Sequence, residues 1–355
     1  MKKQKQIIFI SNEVANGGAG RVISVLANAF VKKGYGVSIY SYHKSSETYP
    51  LDKLVKQYFL RVKYKSKLLN KVDRIRQLRK EFKKNFGATI ISFEYFVNMQ
   101  TIIAGFGLKN RTIISERNDP AQQDSRKLIK HLRNILYGLA DVLVCQTPEA
   151  KAYFPESVQK KAVVIPNPIK EGLPKPFNGK RKKIIVNFGR LEKQKNLPLL
   201  IEAFALLYKE YPDYRLFLYG DGSAKKSIEA LIAEKKLQDC VTLHGSTPDI
   251  HTKILDCAMY VSSSDYEGLS NSMLEAMALG LPCVVTDCPC GGAKMMIRSY
   301  ENGILVPVKD VQSMYEAMKY LIENPKQAAY ISHNATKIRM DLAAEKIASQ
   351  WEWIL

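Results

Sequence analysis

Short apolar runs rich in β-branched residues alternate with helical patterns along almost the whole chain, and few folds accommodate that alternation. IIFIS (7–11), VSIYSY (37–42), ATIISF (88–93), RTIIS (111–115), DVLVC (141–145) and AVVIP (162–166) form a first series. After NPIKEGLPKPFNGKRKK, loaded with Pro, Gly and Lys, the series resumes as KIIVNFG (183–189), RLFLYG (215–220), CVTLHG (240–245), MYVSSS (259–264) and PCVVT (282–286). Continuous runs of this kind suit parallel strands covered on both faces by helices. The expected class is α/β, with two Rossmann-like doubly wound parallel sheets: residues 1–170 as a first domain, 171–340 as a second, and 341–355 as a terminal helix packing back toward the first. Both tryptophans of that terminal stretch, Trp351 and Trp353, are read as packing onto a domain surface. Ligands of such sheets lie at the carboxyl ends of the strands, so the expected site is a cleft between the domains.

A length of 355 residues is too great for one ordinary core and suits two. The net charge of +20 is one-sided: residues 1–170 hold 31 Lys and Arg against 12 acids, and residues 171–355 hold 23 against 22. A field of that size attracts an anionic partner. The start, MKKQKQIIFISNEV, has the cations of a secretory leader, but its apolar stretch is only IIFI, and it reads as a first strand. No run reaches the roughly 18 apolar residues that a spanning helix needs, so membrane contact is expected to be peripheral. The six cysteines are scattered or lie within apolar runs and lack paired metal-ligand spacing, which suits reduced, buried thiols in the cytoplasm.

Several strand ends carry residues suited to chemistry. The first is followed by SNEVANGGAGRV, where Gly17, Gly18 and Gly20 precede a helical pattern and allow backbone N–H groups to approach an anion. The turn is not G-x-G-x-x-G and no acid ends the second strand, which argues against a dinucleotide. In NFGRLEKQKNLPLL, Arg190 and Lys195 fall between a strand end and a helix start, the pair suited to neutralising a diphosphate. YGDG (Gly220, Asp221, Gly222) and HGS (Gly245, Ser246) are further strand-end turns, the second able to present main-chain groups to a planar base. In DYEGLSNSMLEAMALG, Glu267, Gly268, Leu269, Ser270 and Asn271 lead into a helix that Ser270 can cap, and Glu275 stands in its second turn, where it can still point toward the cleft mouth. The two carboxylates suit the hydroxyl rows of a sugar and a ribose.

Residues 53–84 hold 13 Lys and Arg against two acids. From Leu68 the apolar Val72, Ile75, Leu78 and Phe82 keep helical spacing with cations on both sides. Such a helix can lie in a lipid headgroup layer or offer phosphate contacts through Lys67, Lys71 and Arg74.

Taken in order, GGAGRV, GRLEKQKN, YGDG, HG, S-x-x-E-G-L-S-x-S-x-L-E-A-M-A-x-G-x-P and CGG…NGILVP resemble the retaining glycosyltransferases of family 4, which have the GT-B fold. The resemblance is nearest to bacterial enzymes that extend lipid-linked oligosaccharides or surface polysaccharides. It implies that Gly17 and Gly18 face the donor phosphate and that Arg190 and Lys195 hold the diphosphate. By the same resemblance Glu275 binds the ribose, Glu267 contacts the transferred sugar, and the backbone of 268–271 cradles the phosphates. It implies a UDP-sugar as co-substrate, with no other cofactor and no metal, and the chain has no Asp-x-Asp triplet. Many relatives have a histidine after the strand matching RTIIS; Glu116, Arg117 and Asn118 stand there in this chain, and Arg117 is taken as an acceptor-side residue. Gly20 and Met295 replace glutamates common in the family.

The expected activity is therefore hexosyl transfer to a lipid-linked or glycan hydroxyl at the inner face of the cell membrane, on an anionic surface. The alternatives are a nucleotide-sugar epimerase or hydrolase on the same fold, or a basic nucleic-acid-binding protein. Nucleic acid is not expected as a partner, because the cations concentrate in one helix without zinc spacing or stacking aromatics.

Overall fold

The apolar runs become strands and the patterns between them helices. The computed structural model describes residues 4–14, 17–45, 49–123 and 126–355; Met1 to Lys3 of the basic start and Ala15 and Asn16 of the glycine turn lie outside these. The first half runs β1 (Gln6–Ser11), α1 (Gly18–Lys32), β2 (Gly36–Ser41), β3 (Lys56–Phe59), α2 (Lys67–Lys84), β4 (Thr89–Phe93), α3 (Tyr95–Gly105), β5 (Arg111–Ser115), α4 (Lys127–Tyr137), β6 (Val142–Cys145), α5 (Pro148–Ala152), α6 (Glu156–Gln159) and β7 (Ala162–Val164). The second half runs β8 (Lys182–Phe188), α7 (Leu197–Glu210), β9 (Arg215–Tyr219), α8 (Lys225–Glu234), β10 (Val241–Gly245), α9 (Ile250–Lys253), β11 (Cys257–Ser262), α10 (Asn271–Ala278), β12 (Cys283–Thr286) and α11 (Gly292–Met296). It ends with β13 (Ile304–Val306), α12 (Val311–Glu323), α13 (Pro325–Ala335), α14 (Ile338–Asp341) and α15 (Ala344–Glu352).

Two units result. Unit 1 comprises residues 1–170 with 342–355, and unit 2 comprises 171–341. Among the described residues, unit 1 holds a seven-stranded parallel sheet in the order β3-β2-β1-β4-β5-β6-β7, and unit 2 a six-stranded parallel sheet in the order β10-β9-β8-β11-β12-β13. Two strands were not anticipated. β3 is a fully exposed edge strand of sequence KQYF, too polar to read as a buried run, and β13 has only three residues.

In unit 1 the connections through α2, α3 and α4 all step in one direction across the sheet, so right-handed crossovers put these helices side by side on one face. The connection through α1 steps the other way, and α1 packs with α15. An aromatic series runs from Phe30 through Phe9 and Phe93 to Trp351, whose ring stacks on Phe93 at 5.8 Å. Trp351 is fully buried, whereas Trp353, expected to pack as well, is 84% exposed: it falls after the end of α15. The segment is tied down at both ends, by Ile169 N–H donating to the Leu342 carbonyl at 2.8 Å and Arg111 Nε to the Ile354 carbonyl at 2.9 Å.

The apolar stripe of α2 does not stay on the surface. Leu78 and Phe82 are fully buried against Ile8, Ile90 and Ala104, because the C-terminal half of the helix lies on the sheet; only Leu68, Leu69 and Val72 of the N-terminal half are exposed. In unit 2, α7 and α12 pack together over a core that includes Leu200, Phe204, Leu218 and Met318. All six cysteines are free and buried. No helix among the described residues is long and apolar enough to cross a membrane.

Candidate functional site

In unit 2 the strand order reverses between β8 and β11, where a doubly wound sheet opens a crevice at its carboxyl end. The loops leaving those strands are stitched together. Asp265 N–H donates to the Gln194 carbonyl at 3.0 Å, Gln194 Nε2 to the Tyr266 carbonyl at 2.8 Å, and Asn196 Nδ2 to Asp265 Oδ1 at 2.8 Å. Ser263 Oγ donates to the Lys195 carbonyl at 2.9 Å. Asn196 turns the chain from the short 3-10 turn Lys193–Lys195 into α7 with a left-handed backbone at φ 41°, which asparagine tolerates better than most residues.

This stitching brings two expected residues together. Lys195 Nζ pairs with Glu267 Oε1, with side chains only 16% and 17% exposed, and Ser264 Oγ donates to the same carboxylate oxygen at 3.0 Å. An ion pair shielded this far from water is held in one geometry, unlike a surface pair that samples many. Arg190, earlier in the same β8–α7 connection as Lys195, stays exposed.

The glycine turns lie in a row across β8, β9 and β10. Gly189 N–H donates to the Tyr219 carbonyl at 3.0 Å, Gly220 N–H to the Gly245 carbonyl at 2.9 Å, and Leu191 N–H to the Asp221 carbonyl at 2.9 Å. At Gly220 (φ 142°) a Cβ would sit 1.8 Å from the Gly189 carbonyl oxygen, so the turns approach this closely only without a side chain. Gly222 N–H donates to Asp221 Oδ1 at 2.9 Å, and Asp221 and Ser246 are exposed beside these turns.

Past Glu267 the backbone of Gly268, Leu269 and Ser270 is buried and Asn271 opens α10, which Ser270 caps by accepting from Met273 N–H at 3.4 Å. α11 seats on this turn: a Cβ on Gly292 would lie 1.8 Å from the Gly268 carbonyl oxygen. Glu275, placed by its second-turn position toward the mouth of the crevice, is withdrawn from solvent. It is 2% exposed, and its Oε2 lies 2.8 Å from Nε2 of His251, a buried residue of α9 that meets Phe188 edge-on. No motif announced His251 or the role of Asp265, for which the repeated polar residues of SSSD at the end of β11 were the available signal; Asn196, the last residue of GRLEKQKN, was a candidate start for the helix that follows.

The remaining expected residues belong to unit 1. Gly17 and Gly18 open α1, and Gly17 N–H donates to the Tyr49 hydroxyl at 3.3 Å. Lys67 and Lys71 are exposed on α2, Lys71 over the Phe96 ring at 5.4 Å, while Arg74 stacks on Tyr42 at 4.6 Å. Unit 1 has its own reversal between β1 and β4, and there Glu94 caps α3 at φ 77°, a strained conformation for glutamate that no pattern foretold.

Of the three residues after β5, Glu116 is taken up inside unit 1: Tyr137 Oη and Gln123 Nε2 donate to it, as does Asn98 Nδ2 at 3.4 Å. Burial raises its carboxyl above the usual range despite those donors. Burial also draws the Arg117 guanidinium down to about 9. Arg117 stacks on Phe93 and Trp351 and donates to Asn167 Oδ1 at 2.8 Å; its Nε and Nη2 are buried with no hydrogen-bond partner among the described residues. The raised Glu116 carboxyl gives a prediction with a definite sign. Glu116→Gln removes the penalty of ionising a buried acid, so the melting temperature rises by a few degrees at neutral pH. The gain shrinks toward zero as the pH falls below the ordinary carboxylate range, where the parent is protonated folded or unfolded. Melting curves across pH with no such convergence would count against it.

The chain matches known proteins along nearly its full length. The family model described as Glycosyltransferase Family 4 matches residues 16–172, and that described as Glycosyl transferases group 1 matches 170–338. An uncharacterized glycosyltransferase of Haemophilus influenzae is 28% identical, with 98% of each chain covered. A Campylobacter jejuni protein named as a GalNAc-alpha-(1->4)-GalNAc-alpha-(1->3)-diNAcBac-PP-undecaprenol alpha-1,4-N-acetyl-D-galactosaminyltransferase is 25% identical, over 98% of this chain and 97% of that one. The crystal structure of Anabaena Alr3699/HepE in complex with UDP and glucose superposes with a TM-score of 0.82 at 16% identity, covering 99% of both chains. Two parallel-sheet units of this kind make the GT-B fold, and with both halves matched the chain belongs to the glycosyltransferases of family 4 and group 1.

Proposed function

We propose that the chain moves a hexose or N-acetylhexosamine from a UDP-linked sugar to a hydroxyl of a polyprenyl-diphosphate-linked or other surface-glycan acceptor, with retention of anomeric configuration and without a metal. The observation that carries this reading is the mostly buried Lys195–Glu267 pair beside the capped N-terminus of α10, at the reversal point of the unit 2 sheet. The UDP and glucose in the Anabaena structure support the donor class, and the lipid-linked acceptor in the name of the Campylobacter relative supports the acceptor class.

The demanding step is breaking the bond from the anomeric carbon to the diphosphate, which leaves negative charge on the departing UDP. Lys195 and Arg190 neutralise that charge, and the N–H groups of residues 268–271 add the positive end of a helix. Two cations, Lys195 held by Glu267 and Arg190 exposed at the end of β8, take the place a divalent ion would otherwise fill. The acceptor hydroxyl attacks from the face the diphosphate leaves, and its proton passes to a diphosphate oxygen, so the products are glycoside and protonated UDP. Glu267 orients Lys195 and accepts from sugar hydroxyls. Glu275, held by His251, receives the ribose.

The test is a panel of UDP- and GDP-sugars with membrane extract, scored for released nucleotide, glycolipid mass and anomeric configuration by NMR. Acceptor-dependent UDP release, α-linked product from an α-linked donor, and full activity in EDTA are expected. Free sugar formed without acceptor would make the protein a hydrolase, and loss of activity in EDTA would remove the metal-independent mechanism. The ribose assignment has its own check. His251→Ala and Glu275→Gln each weaken UDP binding by about tenfold, the worth of one charge-assisted hydrogen bond, while turnover at saturating donor stays within a few fold of the parent. Unchanged calorimetric affinity in both variants would reassign the pair to a structural role.

A further inference from the structure

Helix α4 is built inside out. Its buried side chains are Arg133 and Tyr137, with Arg133 Nη1 donating to the Pro120 carbonyl at 2.9 Å and the guanidinium lying over the rings of Tyr153 and Phe154. Three of its five aliphatic side chains face the other way, while Ile129 and Leu136 are half-buried: Leu128, Leu132 and Ile135 are 77%, 43% and 54% exposed, and Leu139, just past the helix, is 52% exposed. The spacing of four, three and four residues draws these into one stripe along the helix. A water-soluble surface gains nothing from such a stripe, and the sheet it packs on does not use it.

The stripe does not stand alone. α2, α3 and α4 lie side by side on one face of the sheet, and their outer surfaces add Leu68, Leu69 and Val72 from α2 and Phe96 and Ile103 from α3. The same three helices carry eleven Lys and Arg against two acids, including the exposed Lys67, Lys71 and Lys127. Exposed leucines, isoleucine and phenylalanine interleaved with cations match the boundary between headgroups and acyl chains of an anionic bilayer, where the apolar tips enter and the cations meet phosphate. A second copy of the chain would bring the same positive charge to the contact and repel it.

We propose that this three-helix layer is a membrane-docking face, with the α4 stripe as the part that enters an anionic bilayer and the N-terminal half of α2 as its electrostatic flank. The proposal extends the lipid-linked acceptor suggested above. It is read with no sugar nucleotide present, so its failure leaves the transfer chemistry untouched.

The experiment floats the full chain with vesicles of phosphatidylcholine alone and of phosphatidylcholine and phosphatidylglycerol in equal parts, at rising salt. The parent is expected to float with the anionic vesicles only, less so as salt rises. Leu128→Ser, Leu132→Ser and Ile135→Ser combined reduce the partition coefficient by about a hundredfold. Lys67→Glu with Lys71→Glu reduces it by about tenfold or more. These positions are exposed, and melting curves close to the parent's show that the variants fold. As an independent readout, Ile135→Cys labelled with a polarity-sensitive dye shifts its emission to the blue with anionic vesicles and not with duplex DNA. The proposal is overturned by a parent that does not float, by a triple variant that floats like the parent, by a dye shift with DNA alone, or by sedimentation showing a dimer that the triple variant dissolves.

Discussion

Lys195→Ala is expected to lose about 100- to 1,000-fold in kcat, the scale seen when one preorganised donor to a developing negative charge is removed. The ammonium is not a loose surface charge. Glu267 holds it from the side chain, Ser263 holds its carbonyl, and Asn196 and Asp265 lock the two loops that carry the pair. Its position is therefore set before substrate arrives, which is the condition under which a charge acts in the transition state more than in the ground state. Apparent affinity for UDP should fall by less than tenfold, since Arg190 and the α10 N-terminus remain. Glu267→Ala belongs to the same unit and is expected to lose most turnover as well, with a double variant little worse than either single one. Steady-state rates on the preferred UDP-sugar within tenfold of the parent for both single variants would dismiss the assignment of this pair.

The second large effect is structural. Trp351→Ala removes a fully buried indole that stacks on Phe93 and underlies the Arg117 guanidinium, and the cavity cannot collapse because the β-sheet behind Phe93 is rigid. A loss of about 3–5 kcal/mol follows from truncations of this kind. At roughly 2–4 °C per kcal/mol for a unit of this size, the first unfolding transition drops by about 10 °C. The effect is confined to unit 1, so UDP binding measured well below that transition is retained. A Trp353→Ala variant is the internal control: its side chain is 84% exposed and its melting curve should overlay the parent's. A Trp351→Ala protein that melts with the parent would show that the aromatic series does not stabilise unit 1.

Much of the fold was legible because parallel strands buried on both faces are continuous apolar runs, a signal that needs no partner to be seen. β3 was not legible, since an exposed edge strand reads KQYF like any polar loop, and β13 was too short to separate from its motif. At the site, glycines and cations falling at strand ends singled out Arg190, Lys195 and the turns at Gly220 and Gly245, and the structure sets Lys195 against Glu267. What could not be read was the stitching between residues 194–196 and 263–267, about seventy positions apart, because a hydrogen bond between distant loops leaves no periodicity in either. Glu275 was identified by motif, but its burial against His251 depends on α9, four residues long and without pattern. How much of the α2 stripe stays exposed was not legible for a related reason. Helical spacing tells that one face is apolar and not what covers it, so Leu78 and Phe82 looked like Leu68 and Val72 until the sheet was in place.

The return of residues 342–355 to unit 1 reverses the usual order of maturation. During translation residues 171–341 are synthesised before the segment that completes unit 1, so the nascent first half waits with Phe93 lacking its Trp351 partner. The earlier-encoded half therefore reaches its final packing only after the later-encoded one has been made.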